Sequence, residues 1–134
     1  LLGELAAEKW KERDLQADCV VPVPMHWTRR IFRGYNQTEL IASVFCKSTR
    51  IPMVKLLKRV RSTPKQAKLS REQRKKNLNG AFKISGFERD FKKTRSILLL
   101  DDVITTGATL ETASRVLLGS GICEEVNIIV IARG

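Results

Sequence analysis

The sequence predicts an α/β domain: an open, mainly parallel twisted sheet flanked by helices. Three observations lead there. Short apolar segments with strand character alternate with segments of helical periodicity, the order that builds a parallel sheet covered by helices. Two apolar runs, ILLL (97–100) and VNIIVIA (126–132), are nearly uninterrupted and so read as strands buried on both faces. At 134 residues the chain is one domain, long enough to bury roughly two-thirds of the surface its unfolded form exposes.

The elements follow in order. Residues 1–16 place Leu2, Leu5, Ala6 and Trp10 at helical spacing between charges, an amphipathic helix. The chain begins inside this helix and without methionine, so it reads as the C-terminal part of a longer protein. DCVVPVP (18–24) is a short strand closed by prolines, and MHWTRRIFRGYNQ is irregular and basic. TELIASVFCKS regains helical spacing, with Asn36 or Thr38 as its cap. PMVKLL (52–57) is a second strand, followed by a basic loop around Pro64 and by Ser70-Arg-Glu-Gln, a capping-box pattern opening a polar helix to about Leu78. AFKIS (81–85) is a third strand, residues 85–95 a surface connection, and ILLLDD a fourth strand. ATLETASRVLLGSG is a helix ending at Gly119 or Gly121, and EVNIIVIAR is the last strand.

Composition narrows the functional classes. No apolar run approaches the ~20 residues of a membrane span, so no membrane insertion is expected. Cys19, Cys46 and Cys123 are widely spaced, form no C-x-x-C pair and lie in apolar surroundings, so they are expected as buried free thiols of a cytoplasmic protein. The net charge is +11, and from Lys55 to Lys76 ten Lys or Arg face one acid, Glu72. Such a field attracts polyanions: nucleic acid, a phosphorylated small molecule or an acidic protein face.

The stretch that carries chemistry is ILLLDDVITTGATLETA (97–113). It puts Asp101 and Asp102 at the carboxyl end of a buried strand, where open parallel sheets receive ligands. The turn that follows is small and hydroxyl-rich. Gly107 lets the backbone adopt φ > 0, and the amides of Thr105, Thr106, Gly107, Ala108 and Thr109 converge at a helix start, a cup for phosphate. Neither a Walker loop nor a dinucleotide fingerprint is present. The acids lie upstream of the cup, so they meet another part of the ligand, and carboxylates accept hydrogen bonds from hydroxyls and attract Mg²⁺. A ribose 5-phosphate satisfies both halves.

This segment resembles the phosphoribosyl-diphosphate (PRPP) motif of type I phosphoribosyltransferases. VPVPMHWTRRIFRGYNQTELIA (21–42) and RVRSTPKQAKLSREQRKKNLNGAF (59–82) are similar to two further motifs of ComF-like competence proteins, which carry a domain of that superfamily. The resemblance covers most of the chain from Cys19 onward and implies a phosphoribosyltransferase-like fold over residues 1–134. It implies that Asp101 and Asp102, named here as the catalytic pair, hold the ribose hydroxyls, and that 105–109 surround the 5-phosphate. Arg29, Arg30, Arg33 and Gly34 take the place of the pyrophosphate loop, and Arg59, Arg61 and Gln66 that of the mobile loop. Mg²⁺ is implied through the ligand, near the two aspartates, with no ligating residue directly assigned. ComF-like proteins usually carry a zinc-binding segment upstream; nothing here matches it, and no zinc is expected in these residues. The resemblance also implies a role in DNA uptake, with single-stranded DNA and competence-machinery proteins as expected partners.

Other readings remain beside these. Arg29, Arg30 and Arg33 are interleaved with Trp27, Phe32 and Tyr35. Guanidinium forks suit pyrophosphate, the same interleaving suits single-stranded nucleic acid, and core packing of the rings is the plain alternative. Lys68, Arg71, Arg74, Lys75 and Lys76 include like-charged pairs at helical spacing, which suit either a polyanion or a solvated face. His26, the sole histidine, is read as structural, because phosphoribosyl transfer relies on positioning and charge stabilisation.

Overall fold

The computed structural model describes residues 2–13, 15–24, 37–60, 80–85, 94–104 and 107–133. Its elements are α1 (Leu2–Glu12), β1 (Cys19–Pro22), α2 (Gln37–Thr49), β2 (Leu57–Arg59), β3 (Phe82–Ile84), β4 (Ser96–Ile104), α3 (Ala108–Gly119) and β5 (Glu125–Arg133). The pyrophosphate-loop arginines, Arg61, Gln66, the basic positions 68–76, His26, Asn36, and Thr105 with Thr106 lie outside the described residues.

β4 is the centre of a parallel three-stranded sheet in the order β1-β4-β5. Strand alternation sends Ile97 and Leu99 to one face and Leu98 and Leu100 to the other, and all four are completely buried. The first face, with Val21 and Val23, packs against Leu110, Ala113 and Leu117 of α3 and against Leu57 and Phe82. The second, with Val20, packs against Trp10 of α1 and Ile41, Ala42 and Phe45 of α2. Helices thus cover both faces, which is why the ILLL run has no polar position. Asp18 fastens the start of β4: its carboxylate accepts the Arg95 and Ser96 amides at 3.1 and 2.9 Å, and the Thr94 side chain, Ser96 amide and Arg95 together hold its pKa below the usual carboxylate value against a small cost of burial.

Three details depart from the sequence reading. The 52–57 segment does not form one strand. Met53 makes a single parallel bridge to Val20 of β1, and regular pairing begins only at Leu57, antiparallel to β3. Pro52 has no amide to donate, but its carbonyl accepts from Val20 at 2.8 Å, so the sheet edge is touched and then left. Thr38 lies inside α2 and is buried, so it is no cap.

The third departure is in α1. Leu2 and Leu5 are exposed, and the buried face is Gly3, Ala6, Ala7 and Trp10. This small-residue face lets α1 lie close against α2, with Trp10 edge-on to Phe45 at 6.3 Å. A Cβ at Gly3 would stand 2.7 Å from Val44 Cβ and 2.8 Å from the Ile41 carbonyl oxygen.

The cysteines meet the expectation of buried thiols at two of three positions. All three are free, with Cys19 and Cys123 buried and Cys46 half-buried. Burial pushes the thiols of Cys19 and Cys46 up to about 12 and about 11, and raises that of Cys123 as well, so none is a ready nucleophile. Among the described residues no helix is long and apolar enough to cross a membrane.

Candidate functional site

The site arises where neighbouring strands stop at different heights. β1 ends at Pro22, opposite Leu100, and the Val23 amide makes a last bond to the Leu100 carbonyl at 2.9 Å. β4 runs on through Asp101, Asp102, Val103 and Ile104, paired from then on, among the described residues, with β5 alone. The prolines that close β1 therefore open a step at the carboxyl rim of the sheet, and the two acids stand on that step. This is the position at which open parallel sheets take ligands.

The two carboxyls are not equivalent. Strand alternation starts Asp101 from the face of Leu99, the side of α3 and the β2–β3 ribbon, and Asp102 from the other face, yet at this strand end the two carboxyls come close enough to interact directly. Asp101 is half-buried, and its Oδ1 accepts the Asp102 amide at 2.9 Å. Burial first, and then the Asp102 carboxyl, push its carboxyl up to about 7 against the opposing pull of the Asp102 amide and the Arg59 guanidinium. A carboxyl held so far above its ordinary value is an unrelieved electrostatic cost, and such groups concentrate at sites that bind or react.

Arg59 is the cation within reach of Asp101. It closes β2, pairs across the ribbon with Phe82, and its guanidinium carbon lies 5.4 Å from the Phe82 ring centroid. The ring face holds the planar cation beside the acid step. Of the three mobile-loop positions, Arg59 is thus brought near Asp101, and Arg61 and Gln66 lie outside the described residues. Phe82 is the participant that sequence reasoning missed. Its only signal was the strand pattern AFKIS, which gave the strand but not the cross-strand partner.

Beyond β4 the chain enters α3. Gly107 has φ 78° and ψ −7°, the left-handed conformation that favours glycine, and brings no side chain to cap the helix. Its carbonyl accepts the Glu111 amide at 2.9 Å, which fixes the first turn. Gly107, Ala108 and Thr109 are half-buried at this helix start, where amides and helix dipole together favour an anion. The structure therefore sets Asp101, Asp102, Gly107, Ala108 and Thr109 at one rim, with Arg59 beside it.

Among the described residues no group of three or more His, Cys, Asp or Glu side chains is placed to hold a metal ion. Two neighbouring carboxylates at a ligand-receiving rim do fit a hard cation that takes most of its oxygens from a phosphorylated ligand and water, as Mg²⁺ does.

No family model matches the chain. It is 37% identical over 117 residues to Competence protein F of Haemophilus influenzae, covering 87% of this chain and 50% of that protein. It is 31% identical over 114 residues to Competence protein ComFC of Bacillus subtilis, covering 85% of this chain and 44% of the relative. The chain thus spans about half the length of these curated relatives. Among solved structures, glutamine PRPP amidotransferase of B. subtilis matches with a TM-score of 0.63 at 21% identity, over 97% of this chain and 25% of the other. Adenine phosphoribosyltransferase of Leishmania tarentolae matches at 0.57 and 15%, over 95% and 53%. By sequence the chain is related to the ComF-like competence proteins, and by structure it has the fold of the type I phosphoribosyltransferases.

Proposed function

We propose that this chain binds PRPP, or a related ribose 5-phosphate compound with Mg²⁺, along the carboxyl rim of its parallel sheet. The observation that carries the reading is the partly buried Asp101 with Asp102 on the step beyond β1, directly ahead of a helix started by a left-handed glycine. In this reading the Gly107–Thr109 amides receive the 5-phosphate, the aspartates accept the ribose hydroxyls, and Arg59 neutralises charge on the diphosphate side. Bound Mg²⁺ would supply charge neutralisation of the diphosphate. Transfer of the phosphoribosyl group to an acceptor is the activity that such an arrangement serves, through orientation of C1 and stabilisation of developing charge.

Titration with PRPP in Mg²⁺ buffer tests this. Wild type is expected to bind saturably, and Asp102→Asn to lose about 10- to 100-fold in affinity, the worth of a charge-assisted hydrogen bond. Absence of saturable binding by wild type removes the reading.

The biological role proposed is in DNA uptake, in line with relatives named as competence proteins, with the cytoplasm as the proposed compartment, and a second reading attaches to it. The net charge of +11 favours a module that handles single-stranded DNA, with or without transfer chemistry. Affinity for an oligonucleotide should then fall log-linearly with salt, by roughly 0.7 per phosphate contact, and weaken on Arg74→Glu. A flat salt response counts against it.

A further inference from the structure

β5 forms one edge of the parallel sheet, and among the described residues no strand pairs with its outer side. It is nine residues long, and from Val126 to Ala132 it contains neither charge nor proline. Edge strands are ordinarily blunted by shortness, lysine, proline or bulges, because an open row of amides and carbonyls recruits another strand. None of these devices interrupts this run. Mainly apolar surface flanks the edge on both faces, with Lys9 at the border of one groove and the Glu111–Arg115 ion pair at that of the other. On the α1 face Leu2 and Leu5, 46% and 49% exposed, line a groove with Ile129 and Ile131. On the α3 face Leu118 and Ile128, 45% and 47% exposed, line a second groove of about 610 Å³.

We propose that this edge docks a second copy of the chain, with β5 antiparallel to β5 about a twofold axis at Ile129. The charges at the strand's ends select this occupant and this register. β5 starts with Glu125 and finishes with Arg133. Centred on Ile129, the antiparallel pairing sets Glu125 of each copy at the position opposite Arg133 of the other, and Ile128 opposite Val130. Opposite charges facing across an antiparallel pair favour it, whereas parallel pairing sets like ends together and a slipped register loses both matches. A twofold axis perpendicular to the sheet keeps both copies of α1 on one face and both copies of α3 on the other. Each groove then closes against its own counterpart, covering Leu2, Leu5 and Leu118. Two three-stranded sheets become one continuous sheet through a self-complementary interface.

Sedimentation equilibrium of the 134-residue chain tests the arrangement. A reversible monomer–dimer equilibrium is expected at micromolar concentration. Glu125→Arg and Arg133→Glu each set like charges opposite at both ends of the pair, and each should weaken the dimer by about tenfold or more. The double variant should return to within about threefold of wild type. Ile128→Lys places a lysine on the edge and should yield monomer with an unchanged far-UV spectrum. This variant decides the matter should a charge reversal fail to fold. A chain that stays monomeric at ~100 μM, a dimer indifferent to the reversals or to Ile128→Lys, or a double variant no better than the singles overturns the proposal.

Discussion

Asp101→Asn is expected to make the protein more stable at neutral pH while weakening its ligand binding. Burial has pushed the Asp101 carboxyl up to about 7, so the folded state holds a proton there that the unfolded chain, at an ordinary carboxylate value, gives up. Between about pH 4 and pH 7 the folded state therefore binds more protons, and stability falls as pH rises through that window. The contribution is complete below about pH 4 and is lost above the folded value. Asparagine keeps an oxygen for the Asp102 amide but has no charge to desolvate. After discounting for its partial exposure, the gain at pH 7.5 is roughly 1–3 kcal/mol, vanishing near pH 4. Urea denaturation of both proteins at the two pH values measures it. Affinity for PRPP with Mg²⁺ should fall about 10- to 100-fold or more in the same variant. Opposite changes in stability and binding are the mark of a residue kept for function against the interest of the fold.

Gly3→Ala is expected to destabilise, although the same change in an ordinary helix interior stabilises by about 1 kcal/mol. The added methyl would meet Val44 Cβ at 2.7 Å and the Ile41 carbonyl oxygen at 2.8 Å. The second is backbone, so no rotamer change relieves the contact. α1 has to move off α2, loosening the Trp10–Phe45 contact and costing about 1–3 kcal/mol net, read as a lower urea midpoint at constant m-value. Gly119→Ala is the control. Nothing lies within 4 Å of a Cβ there, at the last residue of α3, so it should be neutral or stabilising by up to about 1 kcal/mol. Equal effects at the two glycines contradict the close helix contact.

The pattern of what was legible in the sequence follows from the range of the interactions involved. ILLLDD named its strand, its burial and the place of its acids, because a run apolar on both faces has only a parallel, doubly covered position to occupy. TTGAT named the turn because φ > 0 at a helix start selects glycine, and Gly107 has it. The long-range partners were not legible. PMVKLL carries strand composition, yet its neighbours decide that only Met53 bridges β1 and that regular pairing begins at Leu57 with β3. Leu2 and Leu5 have the spacing of a buried stripe, yet the helix turns Gly3, Ala6, Ala7 and Trp10 inward, where Gly3 admits a close approach to α2. The Arg59–Phe82 pairing spans the whole basic segment, and no local pattern records it.

A crystal structure with ribose 5-phosphate and Mg²⁺ tests the central claim most directly. The phosphate is expected against the amides of Gly107, Ala108 and Thr109, with the ribose hydroxyls within about 3 Å of the Asp101 and Asp102 carboxylates. A ligand bound elsewhere, or a rim closed by side chains with the aspartates turned away, would contradict it.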